Sequence, residues 1–204
     1  MNELDEALAQ ISAIRKQIAR AEVFRGYGPA AVLGTAAIAA FAAIVQPLVV
    51  AHPVDDVLRY LALWTVAAAS CAILVVAETI ARTRRMHAGL EQEMVVAAVE
   101  QLLPASLAGA ALTAVIGAVA PESAWMLPGL WQVVFSLGVF ASIRFLPAGV
   151  FAVGAWYLVC GIVTLVTARG PDALAPWAMG VPFAFGQSLS AFVLWRSLGG
   201  SDEP

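Results

Sequence analysis

The sequence predicts an all-α, polytopic membrane protein: six transmembrane helices arranged as three hairpins, preceded by an N-terminal amphipathic helix on the cytoplasmic face. Three observations predict it. The 204 residues are 61% hydrophobic and only 12% charged, where an ordinary soluble domain is about 25% charged, so lipid is the solvent. Six apolar stretches, 28–50, 57–80, 95–120, 125–145, 147–168 and 176–197, each approach the roughly twenty residues that a bilayer core requires. The basic residues are one-sided: Arg15, Lys16, Arg20, Arg25, Arg82, Arg84, Arg85, Arg144 and Arg196 fall on one face of this topology, and only Arg59 and Arg169 on the other. By the positive-inside rule both termini are then cytoplasmic.

Taken in order, residues 1–26 form the first unit. Leu4, Leu8, Ile11, Ile14 and Ile18 recur at spacings of three and four, with Glu3, Asp5 and Glu6 early and Arg15, Lys16, Arg20 and Arg25 late. This is an amphipathic helix whose charge order suits the helix dipole, lying on headgroups or docking a protein partner. No cleavable signal peptide is expected, because these residues are charged and of both signs. Residues 27–198 are the six-helix domain, and 199–204 a cytoplasmic tail. The outer connections, His52-Pro53-Val54-Asp55-Asp56, Pro121-Glu122-Ser123 and Gly170-Pro171-Asp172, are short and turn-rich. Each hairpin opens with a proline, Pro29, Pro104 or Pro147, near a helix start where the missing N–H costs least. The fourth and sixth spans share W-x10-S-x3-F-x3-R, as Trp125, Ser136, Phe140, Arg144 and Trp177, Ser188, Phe192, Arg196, a pattern that duplication or shared helical architecture explains.

Several chemistries are disfavoured. The clustered basic residues carry no nucleic-acid footprint. Cys71 and Cys160 lie in the middle of apolar spans, where packing is their expected role. No Walker loop, zincin motif, nucleophile elbow or CxxC occurs, and no cofactor is implied.

The stretch Glu78 to Pro104 concentrates the interior charge. A turn at Ala88 and Gly89 would set Glu78 and Glu100 at similar depth on two antiparallel helices. Ionisable groups inside a span are costly unless paired or hydrated. Three readings follow: a structural charge network using Arg82, Arg85 and Glu93; proton or cation coupling at Glu78 and Glu100; or a metal centre with His87. The metal reading is weakened by geometry, since the nine residues from Glu78 to His87 put them on opposite helix faces. His87-x3-Glu91 is only a pair, and His52 lies on the other side of the membrane.

A second cluster is aromatic and irregular. Trp125 through Gln132 in the fourth span and Trp177 through Gln187 in the sixth contain Pro128 and Pro182 at similar depth. Proline inside a span frees backbone groups that neighbours, water or a ligand must satisfy, as in transporter sites. The candidate ligand-binding residues are Trp131, Gln132, Pro182 and Gln187, with Trp156, Tyr157 and Thr164 of the fifth span facing them. The competing reading makes Trp125 and Trp177 interface anchors and the prolines simple kinks. Small-residue spacings, Ala30 to Gly34, Gly109 to Thr113 and Gly154 to Gly161, mark close helix packing.

Phe24-Arg25-Gly26-Tyr27-Gly28-Pro29, with Leu127-Pro128-Gly129-Leu130-Trp131-Gln132 and Trp177-Ala178-Met179-Gly180, resembles uncharacterised bacterial six-span integral membrane proteins. That resemblance implies a bacterial origin and brings no activity or site residues. The leading expectation is a small-solute or ion carrier, or a ligand-binding membrane protein with an intramembrane cavity. The alternatives are a regulatory or accessory subunit docking through residues 2–25, and a membrane-embedded metal-dependent enzyme. Expected partners are the lipid bilayer, a small ligand, a protein on the N-terminal helix, and a second copy of the chain.

Overall fold

The computed structural model describes residues 28–85, 90–143, 146, 147 and 149–199, with side chains described outside 82–99, 171, 198 and 199. The expected amphipathic helix over 2–25, the turn at Ala88 and Gly89, the side chains of Arg82, Arg84, Arg85, His87, Glu91 and Glu93, and Arg144 lie outside these described residues. Within them the chain is all-helical, with no strand. The helices are α1 (Pro29–Val49), α2 (Val57–Arg85), α3 (Leu90–Val119), α4 (Leu127–Ser142), α5 (Val150–Thr167) and α6 (Pro176–Gly199). Short 3-10 turns, Pro121–Met126 and Gly170–Asp172, precede α4 and α6. Six segments among the described residues are long and apolar enough to cross a membrane. They match the predicted spans to within a few residues, so this is a chain suited to multiple membrane crossings.

Local chemistry sets the helix ends. Pro29 occupies the first turn of α1 after an extended Gly28, where a missing N–H leaves no bond unmade. Asp56 caps α2, its Oδ1 accepting the Arg59 backbone N–H at 3.3 Å. The Arg59–Asp56 ion pair at 3.2 Å is exposed and contributes little beyond that cap. Pro147 stands just before α5, its carbonyl accepting from Val150 N at 2.9 Å.

Two prolines sit differently from expectation. Pro104 was expected at a helix start, but α3 already begins at Leu90, well ahead of the apolar stretch, and puts Pro104 in the helix interior. Pro128 was expected inside a span, but the 3-10 turn runs to Met126 and α4 starts at Leu127. It therefore falls in a first turn, where it frees no carbonyl. Of the two aligned prolines, only Pro182 is internal to its helix.

The tightest packing joins α1 to α6 and α4 to α5, followed by α3 with α4, α1 with α2 and α5 with α6. Among the described residues, consecutive α2 and α3 barely touch. The helices thus run α2, α1, α6, α5, α4, α3 around a ring that is parted at one seam. Glycine allows the two tightest contacts. A Cβ on Gly161 would stand 2.9 Å from the Gly129 carbonyl oxygen, and one on Gly129 2.8 Å from that of Gly161. A Cβ on Gly180 would collide with Ala43. Small residues here let backbones approach, which is how apolar helices associate where lipid is as apolar as they are.

At the end of the ring bearing the three short connections, Val50, Tyr60, Leu61, Trp64, Leu127, Leu174 and Met179 form the main core cluster. Gln46 ties it together: its Nε2 donates to the Leu174 carbonyl at 2.7 Å and its Oε1 accepts from Trp64 Nε1 at 2.9 Å. Leu174 adopts φ 63°, a left-handed conformation that a branched side chain disfavours, and is buried beside this clamp. Farther along the ring, the rings of Phe135, Tyr157 and Phe183 pack at 4.7–5.7 Å. The outer surface carries exposed Phe41, Ile44, Leu48, Leu58, Ile73 and Val119, as lipid contact requires.

Candidate functional site

Where the ring is parted, it encloses a cavity of about 600 Å³. Every helix contributes to its wall: Thr35 from α1, Trp64, Cys71 and Val75 from α2, Leu102, Ser106 and Thr113 from α3, Trp131 and Phe135 from α4, Val153 from α5, and Phe183, Gln187 and Ser190 from α6. Among the described residues the seam between α2 and α3 is the most loosely packed side of the cavity. The two helices meet near the connections, where Leu61 Cδ1 lies 3.4 Å from a Cβ built on Gly117. Beyond Ala67, α2 has no buried side chain as far as Ala81, and α3 has none from Glu100 to Val119. Away from that contact the stretches from Trp64 to Val76 on α2 and from Leu102 to Thr113 on α3 line the cavity, a wedge between the two helices.

Among the described residues no charged side chain lines this wedge. Its hydroxyls are largely spent on their own helices: Thr35 donates to Val32 O at 2.6 Å, Ser106 to Leu102 O at 3.1 Å, Ser142 to Gly138 O at 2.9 Å and Ser190 to Gly186 O at 2.9 Å. Thr113 donates to Gly109 O at 2.8 Å while its Oγ1 accepts from Trp131 Nε1 at 2.8 Å. Such back-bonding hides the donor and leaves an apolar, weakly accepting surface. Cys71 Sγ points toward Thr35 O at 3.8 Å, and both cysteines are free thiols.

The sequence-predicted residues separate into wall and frame. Trp131 and Gln187 line the cavity. Gln132 does not: it is fully buried behind the wall, where its Nε2 donates to the Ala178 carbonyl at 2.7 Å. Ala178 is four residues before Pro182, so this is the carbonyl that the proline leaves without an intrahelical donor. Pro182 also lies behind the wall, and its own carbonyl accepts from Trp156 Nε1 at 3.0 Å. The freed backbone group is satisfied by neighbouring protein, one of the outcomes that a proline in a span allows. Tyr157 and Thr164 are buried outside the lining.

Glu78 and Glu100 each stand two residues from a lining residue of their helices, Val76 and Leu102, and are not themselves among the described lining residues. Glu78 is half-buried and engaged by a partner, while Glu100 is exposed. Among the described residues no three His, Cys, Asp or Glu gather into a metal-sized group, and His52 is exposed on a connection.

The repeat of spans four and six does not carry equivalent environments. Trp125 is half-buried beneath the Arg169 guanidinium, 4.7 Å above its ring, whereas Trp177 is exposed. Phe140 packs on Gly154, whereas Phe192 is exposed with Arg196 5.8 Å over its ring. The shared letters thus sit in unlike surroundings, in spans whose α-helices have 16 and 24 residues.

Sequence reasoning missed the contribution of α2 and α3 to the cavity. The signal was present as Trp64, Ala68, Cys71 and Val75, and as Leu102, Ser106, Gly109 and Thr113, both at helical spacing with small or hydroxyl side chains. Gln46 was missed as well, though a lone amide beside Pro47 in an apolar span marks a place where a backbone partner is needed. No protein family, curated protein or solved structure matches the chain.

Proposed function

We propose that this multi-pass membrane protein binds, and in binding carries, a small uncharged apolar molecule taken from the lipid phase through the α2/α3 seam. The observation that carries this reading is the charge-free wedge of about 600 Å³, within the roughly 300–1,000 Å³ range of small-molecule sites. An ion held there would lose its hydration with no counter-charge in the wall, at a cost of several kcal/mol or more. A hydrocarbon loses nothing comparable. In this reading the spans form three hairpins with both termini in the cytoplasm of a bacterial inner membrane. Trp131 and Gln187 touch the ligand, and Gln132 and Pro182 hold the wall.

The test uses Cys71, which lines the cavity. In a Cys160→Ala background in nanodiscs, Cys71 is the sole thiol. Added dodecane should slow its modification by N-ethylmaleimide in a saturable way, and labelling that ignores dodecane at every concentration would remove the reading.

The placement of Glu78 and Glu100 on helices consecutive in the chain, each two residues from a lining residue, favours a second reading in which they couple protons or cations to ligand movement. Glu78→Gln and Glu100→Gln should then abolish pH-dependent uptake into liposomes while leaving dodecane protection of Cys71 intact. Unchanged uptake in both variants dismisses the coupling.

A further inference from the structure

A wall with almost no free donors makes the remaining ones informative. Trp64 and Trp131 line the cavity, yet their indole N–H groups are committed to Gln46 and Thr113. The hydroxyls of Thr35, Ser106, Thr113, Ser142 and Ser190 donate to carbonyls of their own helices. Apart from Thr65 at the exposed rim, Gln187 is the lining residue whose donors are not spent in this way.

Directly behind it is Tyr157. Its side chain is 0% exposed and its Oη lacks a hydrogen-bond partner. The ring is wedged between Phe135 at 4.7 Å and Phe183 at 5.1 Å, both of which line the cavity. Its hydroxyl is pressed on the α6 turn that carries Gln187, for a Cβ on Gly186 would stand 2.6 Å from Tyr157 Oη. Gln187 is the next residue along α6 from that contact, and Tyr157 Oη takes no hydrogen bond from it. A buried phenol O–H without an acceptor is an expensive arrangement to maintain.

One rotation resolves both features. If Gln187 turns its Oε1 toward Tyr157, the phenol gains its acceptor, and the Gln187 NH₂ is left facing the cavity as a donor. We propose that the occupant is an uncharged amphiphile with a hydrogen-bond acceptor such as a ketone or ester carbonyl, held by Gln187 Nε2, with Tyr157 as the positioning residue behind it. This rests on the ligand-binding reading of the cavity. Among the described lining residues a carboxylate head finds no cation and an ammonium head no anion, so the acceptor is neutral.

The experiment compares 2-dodecanone with dodecane as protectors of Cys71 against N-ethylmaleimide, in Cys160→Ala protein in nanodiscs. Comparing variants with one probe at a time removes differences in how the probes partition into lipid. Gln187→Leu should raise the half-protecting concentration of 2-dodecanone about fivefold and leave that of dodecane unchanged. Tyr157→Phe, which keeps the ring packing, should raise the ketone value about twofold, again without moving dodecane. If the ketone value is unmoved in Gln187→Leu, or both probes shift together, the donor role is overturned. If only Tyr157→Phe is silent, the positioning role is overturned. If neither probe protects Cys71 in the parent protein, the cavity reading itself fails, an outcome distinct from the others.

Discussion

The side-chain amide of Gln132 on α4 donates to the carbonyl of Ala178 on α6 at 2.7 Å, replacing the bond that Pro182 cannot make one turn later. The two residues are complementary: the proline creates a buried acceptor and the glutamine fills it. Gln132→Leu should therefore destabilise the protein by about 1–3 kcal/mol, the cost of an orphaned buried polar group. Pro182→Ala restores an N–H for Ala178, so in that background the same Gln132→Leu should cost less. Thermal unfolding of the four proteins in detergent measures the coupling, and additive effects would show that the two residues act independently.

Gln46 bridges two partners, the Leu174 carbonyl and the Trp64 indole. Its replacement by leucine should lower stability by about 1–3 kcal/mol and loosen the connection between α5 and α6, read as faster proteolysis near Arg169. Leu174→Gly at the neighbouring left-handed position separates two opposing effects. Relief of the backbone is worth roughly 1–2 kcal/mol, whereas deleting a buried leucine side chain costs about 2–5 kcal/mol. Net destabilisation is expected, and a higher unfolding temperature would refute the ranking.

The α4/α5 contact makes a paired test of helix approach. Gly161→Ala places a methyl 2.9 Å from the Gly129 carbonyl oxygen and 2.8 Å from Val133 Cγ2, which should cost about 1–3 kcal/mol by overpacking. Gly109→Ala meets only Trp131 Cδ1 at 4.0 Å, an ordinary contact, and should be tolerated. Equal unfolding temperatures for the two variants would remove the argument for close approach at Gly161.

Filling the wedge should block it without stressing the frame. Ala72 is exposed on α2 and lines the cavity, so Ala72→Phe projects into open space. The expected result is at least a tenfold rise in the dodecane concentration that protects Cys71, with the unfolding temperature held within a few degrees. A fall of many degrees would instead mean that the residue packs on a neighbour.

Much of the fold was legible because membrane crossing is a matter of length and composition. Six apolar runs and their turn residues are visible without knowing any contact, and the helices fall where those runs do. The neighbours were less legible: nothing in the letters says that α1 packs most closely on α6, since the decisive features are single glycines such as Gly180 whose role depends on Ala43 across the gap. The cavity was half legible. Trp131 and Gln187 face it, but Gln132, adjacent in sequence to Trp131, turns a helical step away and meets a backbone carbonyl. The acidic pair drew attention because charge in a span is conspicuous, whereas the small and hydroxyl faces of α2 and α3 that shape the wedge are not.

Between α2 and α3 the wedge is closed near Leu61 and Gly117, and its described lining runs along α2 to Val76 and along α3 from Leu102. An occupant entering by this seam would arrive sideways, from within the hydrocarbon. Occupancy should then follow the ligand's concentration in lipid, so raising the lipid-to-protein ratio at a fixed total amount of ligand should empty the cavity.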